Sequence, residues 1–246
     1  MTGFTCDCGF EARDASVEAL TPVVLGHFTD VHPDFGMVEI NVSDYFAAQD
    51  RLTGSTDPLP EIGAIALRDV GADRISDIQR FFDAEAFAGN PEWAACYCMF
   101  HHLGVESPAW SLRGFEQNRA EMTDRICAGT TTGVLAYVDG EVAGWCNATV
   151  RTEFPDHLDS GGAPDEQVGS IVCFLVSPPY RGHGVAKALL DGACEMLAKR
   201  GMTVVEGYPR AEVASPQAAY RGTRELFAAA GFEMVGDGPA MRRSLV

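Results

Sequence analysis

The chain has 246 residues, 46% of them hydrophobic, which suits one large domain or a medium domain with a small appendage. Its formal net charge is -17, from 35 acidic and 18 basic residues, and such a surface repels phosphate backbones and argues against nucleic acid as a partner. No apolar stretch is long enough to span a membrane, and the start MTGFTCDCGF lacks the basic head and apolar run of a signal peptide, so a cytoplasmic protein with no membrane partner is expected.

Residues 1–52 read as a separate small module. Ser16 to His27 is predicted as a short helix with Val17, Leu20, Val24 and Leu25 on one side. Cys6, Cys8, His27 and His32 form a two-Cys, two-His set. His-x4-His at a helix end is acceptable zinc spacing, whereas Cys-x-Cys is tighter than the usual pair. So small a core would gain from a bound metal, and a metal-free helical appendage is the alternative. The chain has eight cysteines, expected as free or metal-bound thiols because no secretory signal precedes them. TGSTDPLPEIG follows, rich in turn formers, and residues 53–62 are predicted as a linker.

From residue 63 the pattern is α/β. AIALRDV (64–70) is predicted as a strand, followed to about Phe87 by a helix carrying Ile75, Ile78, Phe81 and Phe82. Residues 88–111 are irregular and aromatic, and Arg113 to Ala128 is predicted as a helix. GVLAYVDGEVAGWCNATVR (133–151) is a hairpin turning at Asp139-Gly140. After a polar loop, FPDHLDSGGAPDEQ, Gly169 to Ser177 is an apolar strand without alternation, predicted to lie in the centre of a sheet. A helix starts at Gly184 and ends at Lys199-Arg200 before Gly201. Lys187 and Lys199 are the chain's only lysines. That bias fits a high-salt cytoplasm or a GC-rich genome, and both stay open. MTVVEGY (202–208) is predicted as a strand and 217–230 as a helix, and FEMVG and MRRSLV close the sheet.

VSPPYRGHGVAKALL (176–190) carries the chemistry. A helix start has unpaired N–H groups and a positive dipole end, and glycines let an anion approach the backbone. The spacing is neither GxxxxGK[ST] nor GxGxxG, so the common nucleotide loops are excluded. The stretch resembles the acyl-CoA pyrophosphate loop of the GNAT N-acetyltransferases. Arg181, Gly184 and Ala186 match that family's Arg/Gln, two residues, Gly, one residue, Gly/Ala pattern. The hairpin, apolar strand, loop, long helix, next strand and late LFAAAGF helix follow the family's order over about residues 63–246. The resemblance implies an α/β fold with a mixed, mostly antiparallel central sheet flanked by helices. It also implies acetyl-CoA as donor, with Phe174 and Val176 pairing the pantetheine arm and Arg181, Gly182, His183, Gly184, Val185, Ala186 and Lys187 receiving the pyrophosphate. Residues 1–52 resemble small Cys/His domains of unknown function, through CDCG and the late histidines.

Acetyl transfer to an amine needs a base near the nitrogen and an acid near the leaving sulfur. GNAT enzymes often place a tyrosine four residues before the late Gly-Phe pair, and here that residue is Phe227, which has no proton to donate. Tyr208, with Glu206 on the same face, is the substitute candidate, and Tyr220 is the weaker one. NPEWAACYCMFHHLG (90–104) corresponds to the segment that covers the acceptor site in this family. It is read as a pocket with His101 or His102 as base, as aromatic packing, or as a metal site built from Cys96, Cys98 and His101. Cys98, His101, Trp145 and Asn147 are the candidate acceptor contacts. Asn147 and Arg151 share a strand face that is read, by a small margin, as the solvent side.

The reading favoured by these residues is an acetyl-CoA-dependent N-acetyltransferase acting by direct attack on a primary amine of a small molecule or peptide. The alternative is an acyl-CoA-binding sensor without turnover, which Phe227 keeps open. The sequence sets neither the acceptor nor the oligomeric state, and a homodimer is compatible with it.

Overall fold

The computed structural model describes residues 2–5, 10–31, 59–87, 91–103, 113–154, 167–209 and 218–245. Near the N-terminus, β1 (Thr2–Thr5) pairs antiparallel with β2 (Glu11–Asp14), and α1 (Val17–Val31) packs on the hairpin. Phe4, Leu20 and Val24 form their core. The helix is longer than predicted, and the hairpin was not foreseen: its four-residue strands are too short to show alternation. Ser16 caps the helix, its Oγ accepting from Ala19 N–H at 3.2 Å.

The central sheet contains β3 (Ile65–Asp69), β4 (Gly133–Val138), β5 (Glu141–Val150), β6 (Val168–Val176), β7 (Val204–Gly207), β8 (Glu233–Met234) and β9 (Met241–Ser244). Their order is β3-β4-β5-β6-β7-β9-β8, antiparallel at every junction except β6–β7. This is the expected mixed, mostly antiparallel α/β sheet. The β4–β5 turn takes left-handed backbone at Asp139 (φ 52°) and Gly140 (φ 89°), the geometry a two-residue hairpin needs.

The helices are α2 (Ile75–Arg80), α3 (Phe100–Leu103), α4 (Phe115–Ala128), α5 (Val185–Lys199) and α6 (Arg224–Ala229). A π turn over Phe81–Glu85 continues α2, and by adding a residue to the turn it brings both Phe81 and Phe82 to 1% exposure. The predicted helix 217–230 is broken. Residues Ala218–Arg221 form a 3-10 turn, Gly222 follows, and Thr223 caps α6 by accepting from Leu226 N–H at 3.2 Å.

Each sheet face has its own core. Leu189, Leu190, Ala193 and Leu197 of α5 cover Val134, Ala136, Cys146 and Ile171. Opposite them, Phe81, Phe82, Tyr97, Met99 and Met122 cover Leu135, Trp145, Val172 and Cys173. Strands covered on both faces cannot alternate, which is why β6 reads as one apolar run. Among the described residues, no helix is long and apolar enough to cross a membrane.

Phe227 is fully buried, and its ring lies against the backbone of Gly207, where a β-carbon would overlap it. Gly207→Ala is therefore expected to destabilise the fold by about 1–3 kcal/mol through overpacking, read as a lower urea midpoint. Adding Phe227→Leu should recover part of the loss.

Candidate active site

β6 and β7 pair in parallel from Val168↔Val204 to Ile171↔Gly207, and there the pairing stops. On its other edge, β6 stays paired to β5 as far as Val176↔Gly144. From Val172 onward one edge of β6 thus has no strand partner among the described residues. The register slips at this point, with Asn147 opposite Cys173 but Ala148 opposite Ile171, so Val172 is an inserted bulge residue. The bulge turns Val172 and Cys173 toward the same core. Beyond Gly207, the Ala218–Arg221 turn packs beside β6, and Phe227 meets Phe174 edge-on at 6.1 Å. Leu175 and Val176, at the open end of the strand, are half-buried. A split edge of this kind can take an added strand-like ligand.

The predicted anion loop lies at the same end. Gly182 and Gly184 both have φ 82°, a conformation L side chains rarely adopt. The first helical bond of α5 runs from Ala188 N–H to the Gly184 carbonyl at 3.0 Å, so the amides of Val185, Ala186 and Lys187 point out of the helix start. Arg181 has a shaping role: its Nε–H donates to the Val176 carbonyl at 3.0 Å, tying the loop to the strand end. Lys187 is exposed and paired with Asp191 at 2.7 Å, and His183 is half-exposed. Leu59, at the end of the predicted linker, lies over Gly182; its Cδ1 would be 2.8 Å from a β-carbon there.

On the opposite sheet face, at the point of the split, is a buried polar cluster. Tyr208 follows β7 directly and donates its hydroxyl to Glu206 Oε2 at 2.6 Å, and the same hydroxyl lies 2.9 Å from Ser170 Oγ. Arg242 on β9 donates to Glu206 Oε1 at 2.5 Å, and Arg151 stands 3.9 Å from Oε2. Glu206, Tyr208, Arg151 and Ser170 are each at 2% exposure or less. Burial, and then the bond to Glu206, push the Tyr208 phenol well above its ordinary range, so it keeps its proton at neutral pH. Tyr208 and Glu206, which the sequence puts on one strand face, are joined by this direct bond.

A second cluster holds the 91–103 segment. Among the groups around the His102 ring, Asn147 Nδ2 lies 3.3 Å and Thr131 Oγ1 3.4 Å from Nε2, and an Arg125 N–H lies 3.2 Å from Nδ1. Arg125 also pairs with Glu153 at 3.2 Å. Burial first, and Arg125 next, push the imidazole down to about 3, so His102 is neutral near pH 7 and is a clamp, not a base. Nδ1 faces both the Arg125 N–H and, at 3.4 Å, the Glu153 carbonyl, so the ring's tautomer follows from which of the two it pairs with.

Asn147 and Arg151 do not face solvent, contrary to the sequence reading; they are at 0% and 2% exposure, because the polar clusters close over them. Trp145 is at 1% and donates Nε1–H to Cys98 Sγ at 3.3 Å, and Cys98 Sγ is 3.5 Å from Cys173 Sγ. His101 is buried and its ring lies 5.9 Å from Tyr220, which meets Trp93 edge-on at 6.4 Å. Among the described residues no group of three or more His, Cys, Asp or Glu is placed to hold a metal, which removes the Cys96–Cys98–His101 metal reading. In the N-terminal module His27 is buried and stacks on Phe10 at 4.0 Å; Cys6, Cys8 and His32 lie outside the described residues.

Sequence reasoning missed Ser170, Arg242, Arg125 and Glu153. Ser170 sits within an apolar strand and Arg242 on a charged terminal one, and only strand register brings both to Glu206.

The profile of the Acetyltransferase (GNAT) family matches residues 98–221. No match is found among curated proteins. Among solved structures, the chain is similar to the PaiA N-acetyltransferase from Thermoplasma acidophilum in complex with coenzyme A, at 13% identity and a TM-score of 0.44, over 74% of this chain and 99% of that one. A GCN5-related N-acetyltransferase from Kribbella flavida gives 18% identity and 0.45, over 74% and 98%. The aminoglycoside acetyltransferase AAC(6')-Ib in complex with coenzyme A and kanamycin gives 18% identity and 0.47, over 74% and 95%.

The His102 clamp predicts an acid-side loss of stability. The unfolded imidazole takes a proton near pH 6.5 and the folded one only near 3, so protons favour unfolding throughout that window. Below pH 6.5 stability should fall with a His102 contribution approaching about 1.4 kcal/mol per pH unit. In denaturant titrations from pH 7 to pH 4, His102→Gln should flatten the slope by up to one proton's worth. An unchanged slope would show that His102 titrates normally.

Proposed function

The chain belongs to the acetyltransferase (GNAT) family, and from that premise we propose that it transfers the acetyl group of acetyl-CoA to a primary amine of a small molecule or peptide by direct attack. The observation that carries this reading is the coincidence of the split strand edge with the glycine loop. The open edge of β6 at Phe174–Val176 suits the amide-bearing arm of an acyl-CoA. The amides and side chains of Arg181, Gly182, His183, Gly184, Val185, Ala186 and Lys187 suit its pyrophosphate, at the positive end of α5.

Glu206 and Tyr208 are proposed as the proton-handling pair. As the amine nitrogen attacks the thioester carbon, its proton passes to the Tyr208 oxygen while the Tyr208 proton passes to Glu206 along the existing 2.6 Å bond. As the C–S bond breaks, the proton returns from Glu206 through Tyr208 to the departing sulfur, and CoA leaves as the thiol. Arg242 and Arg151 hold the Glu206 carboxylate in place for this relay. Direct attack needs no enzyme thiol: burial, then the bond to Cys173, push the Cys98 thiol well above its ordinary range, so it stays protonated toward the thioester. His101, Trp145, Cys98 and Asn147 are assigned to the acceptor side, where Trp93 and Tyr220 supply the partly open aromatic surface. The domain boundary is placed within residues 53–62, with the module of residues 1–52 before it.

Titration with acetyl-CoA followed by an assay of free thiol release over a panel of amines tests the reading. Gly184→Asp should weaken acetyl-CoA binding more than about tenfold, since it adds a β-carbon at φ 82° and a negative charge at the helix start. Tyr208→Phe should leave that affinity unchanged and lower kcat by about 10²-fold. Tight binding without acetylation of any amine would favour the sensor reading, in which Phe227 stands in the usual acid's place. Absence of binding would overturn both.

A further inference from the structure

Two thiols meet where the acceptor segment touches the strand that carries the donor edge. Cys98 lies in the tight turn between the 3-10 turn Pro91–Cys96 and α3, and Cys173 lies on β6 beside the Val172 bulge. They are 75 residues apart in sequence, yet their sulfurs are 3.5 Å apart. Tyr97 and Cys98 both have left-handed backbone, at φ 44° and 55°, a conformation that non-glycine residues hold only when surrounding packing imposes it. Here that packing is specific: Tyr97 donates to Asp83 at 3.0 Å, and Trp145 donates to the Cys98 sulfur at 3.3 Å. The turn is therefore held so that one sulfur faces the other.

We propose that Cys98 and Cys173 are an oxidisable dithiol whose disulfide fastens the acceptor segment to the donor strand and stops transfer. The crosslink stands on the geometry alone; its effect on transfer rests on the reading of β6 as the donor strand. Both thiols are free in this structure. A disulfide bond is about 2.0 Å long, so the sulfurs must close by about 1.5 Å. That movement falls on the turn, because Cys173 is held in the sheet through its pairing with Asn147.

The oxidant class is a hydroperoxide. Both thiols are buried, Cys173 at 6% and Cys98 at 1% exposure, and the proposed order has the Cys173 sulfur attack first. The O–O bond breaks, Cys173 becomes a sulfenic acid, and the other oxygen leaves as alcohol or water with the thiol proton. The Cys98 thiol, 3.5 Å away, then attacks the sulfenic sulfur while its proton passes to the departing oxygen: the S–S bond forms, the S–OH bond breaks, and water leaves. Two electrons pass from the two thiols to one peroxide. A phosphine and water reverse the step: the S–S bond breaks, water supplies the two thiol protons, and its oxygen leaves on the phosphine oxide.

The test uses the full chain, reduced and then treated with stoichiometric hydrogen peroxide. Remaining thiols are alkylated under denaturing conditions and the peptides mapped by mass. The expected result is one crosslinked peptide pair joining Cys98 to Cys173, with formation of acetylated amine lowered at least about tenfold and restored by the phosphine. In Cys98→Ser and in Cys173→Ser, the treated and untreated rates of each variant should agree. Finding both cysteines alkylated while exposed Cys127 is oxidised would overturn the proposal, as would a Cys96–Cys173 link. A Cys98–Cys173 link with an unchanged rate would overturn its effect on transfer. Acetyl-CoA titration of the reduced protein separates this from the donor reading, since lost donor binding would sink that reading while the peptide map still judges the crosslink.

Discussion

The parallel pairing of Val168–Ile171 with Val204–Gly207 ends at the Phe227 ring, and much of the site is arranged around that ending. The β6–β7 ladder bonds could continue only if β7 stayed beside β6. Instead the Phe227 and Phe174 rings fill the space on the α5 face, and the Val172 bulge adds a residue to β6 alone. A strand released in mid-sheet presents a row of backbone donors and acceptors, which is costly in a core and useful beside a ligand. The fold places that edge next to the only glycine-rich helix start among the described residues, so a linear ligand with an anionic end can meet both at once.

The same ending organises the other face. Glu206, Ser170 and Tyr208 are brought together because Ser170 and Glu206, the pair before the last, and Tyr208 just beyond the ladder share the sheet face away from α5. A carboxylate at 1% exposure is stable only when it is paired and hydrogen-bonded, and Arg242 and Tyr208 meet that requirement. Arg125, Glu153 and His102 form the corresponding unit beneath the Pro91–Leu103 segment. In a chain of net charge -17, arginines thus stand at the buried points where guanidinium geometry is needed.

Much of the fold was legible along the chain. Asp139-Gly140 marked the hairpin, the unalternating run marked the central strand, and the glycines around His183 marked the helix start, because each is a local signal tied to a local backbone requirement. Three features were not legible. The N-terminal hairpin is too short to show a period. The late helix breaks at Gly222, inside a stretch whose apolar spacing reads as continuous. Asn147 and Arg151 were assigned to the wrong side because a strand's two faces look alike until both are covered, and here both are.

The sequence by itself determined the order of elements, the glycine loop with its arginine, and the absence of a phenol at Phe227. These depend on residue type and short-range spacing, which the chain states directly. Only the tertiary structure decided where β6 and β7 part, that Tyr208 bonds Glu206, that Arg242 reaches the same carboxylate from the far end of the chain, and that Cys98 meets Cys173. Each of these is set by register between strands or by packing across the sheet, where a shift of one residue turns a side chain to the other face and no pattern along the chain records the choice.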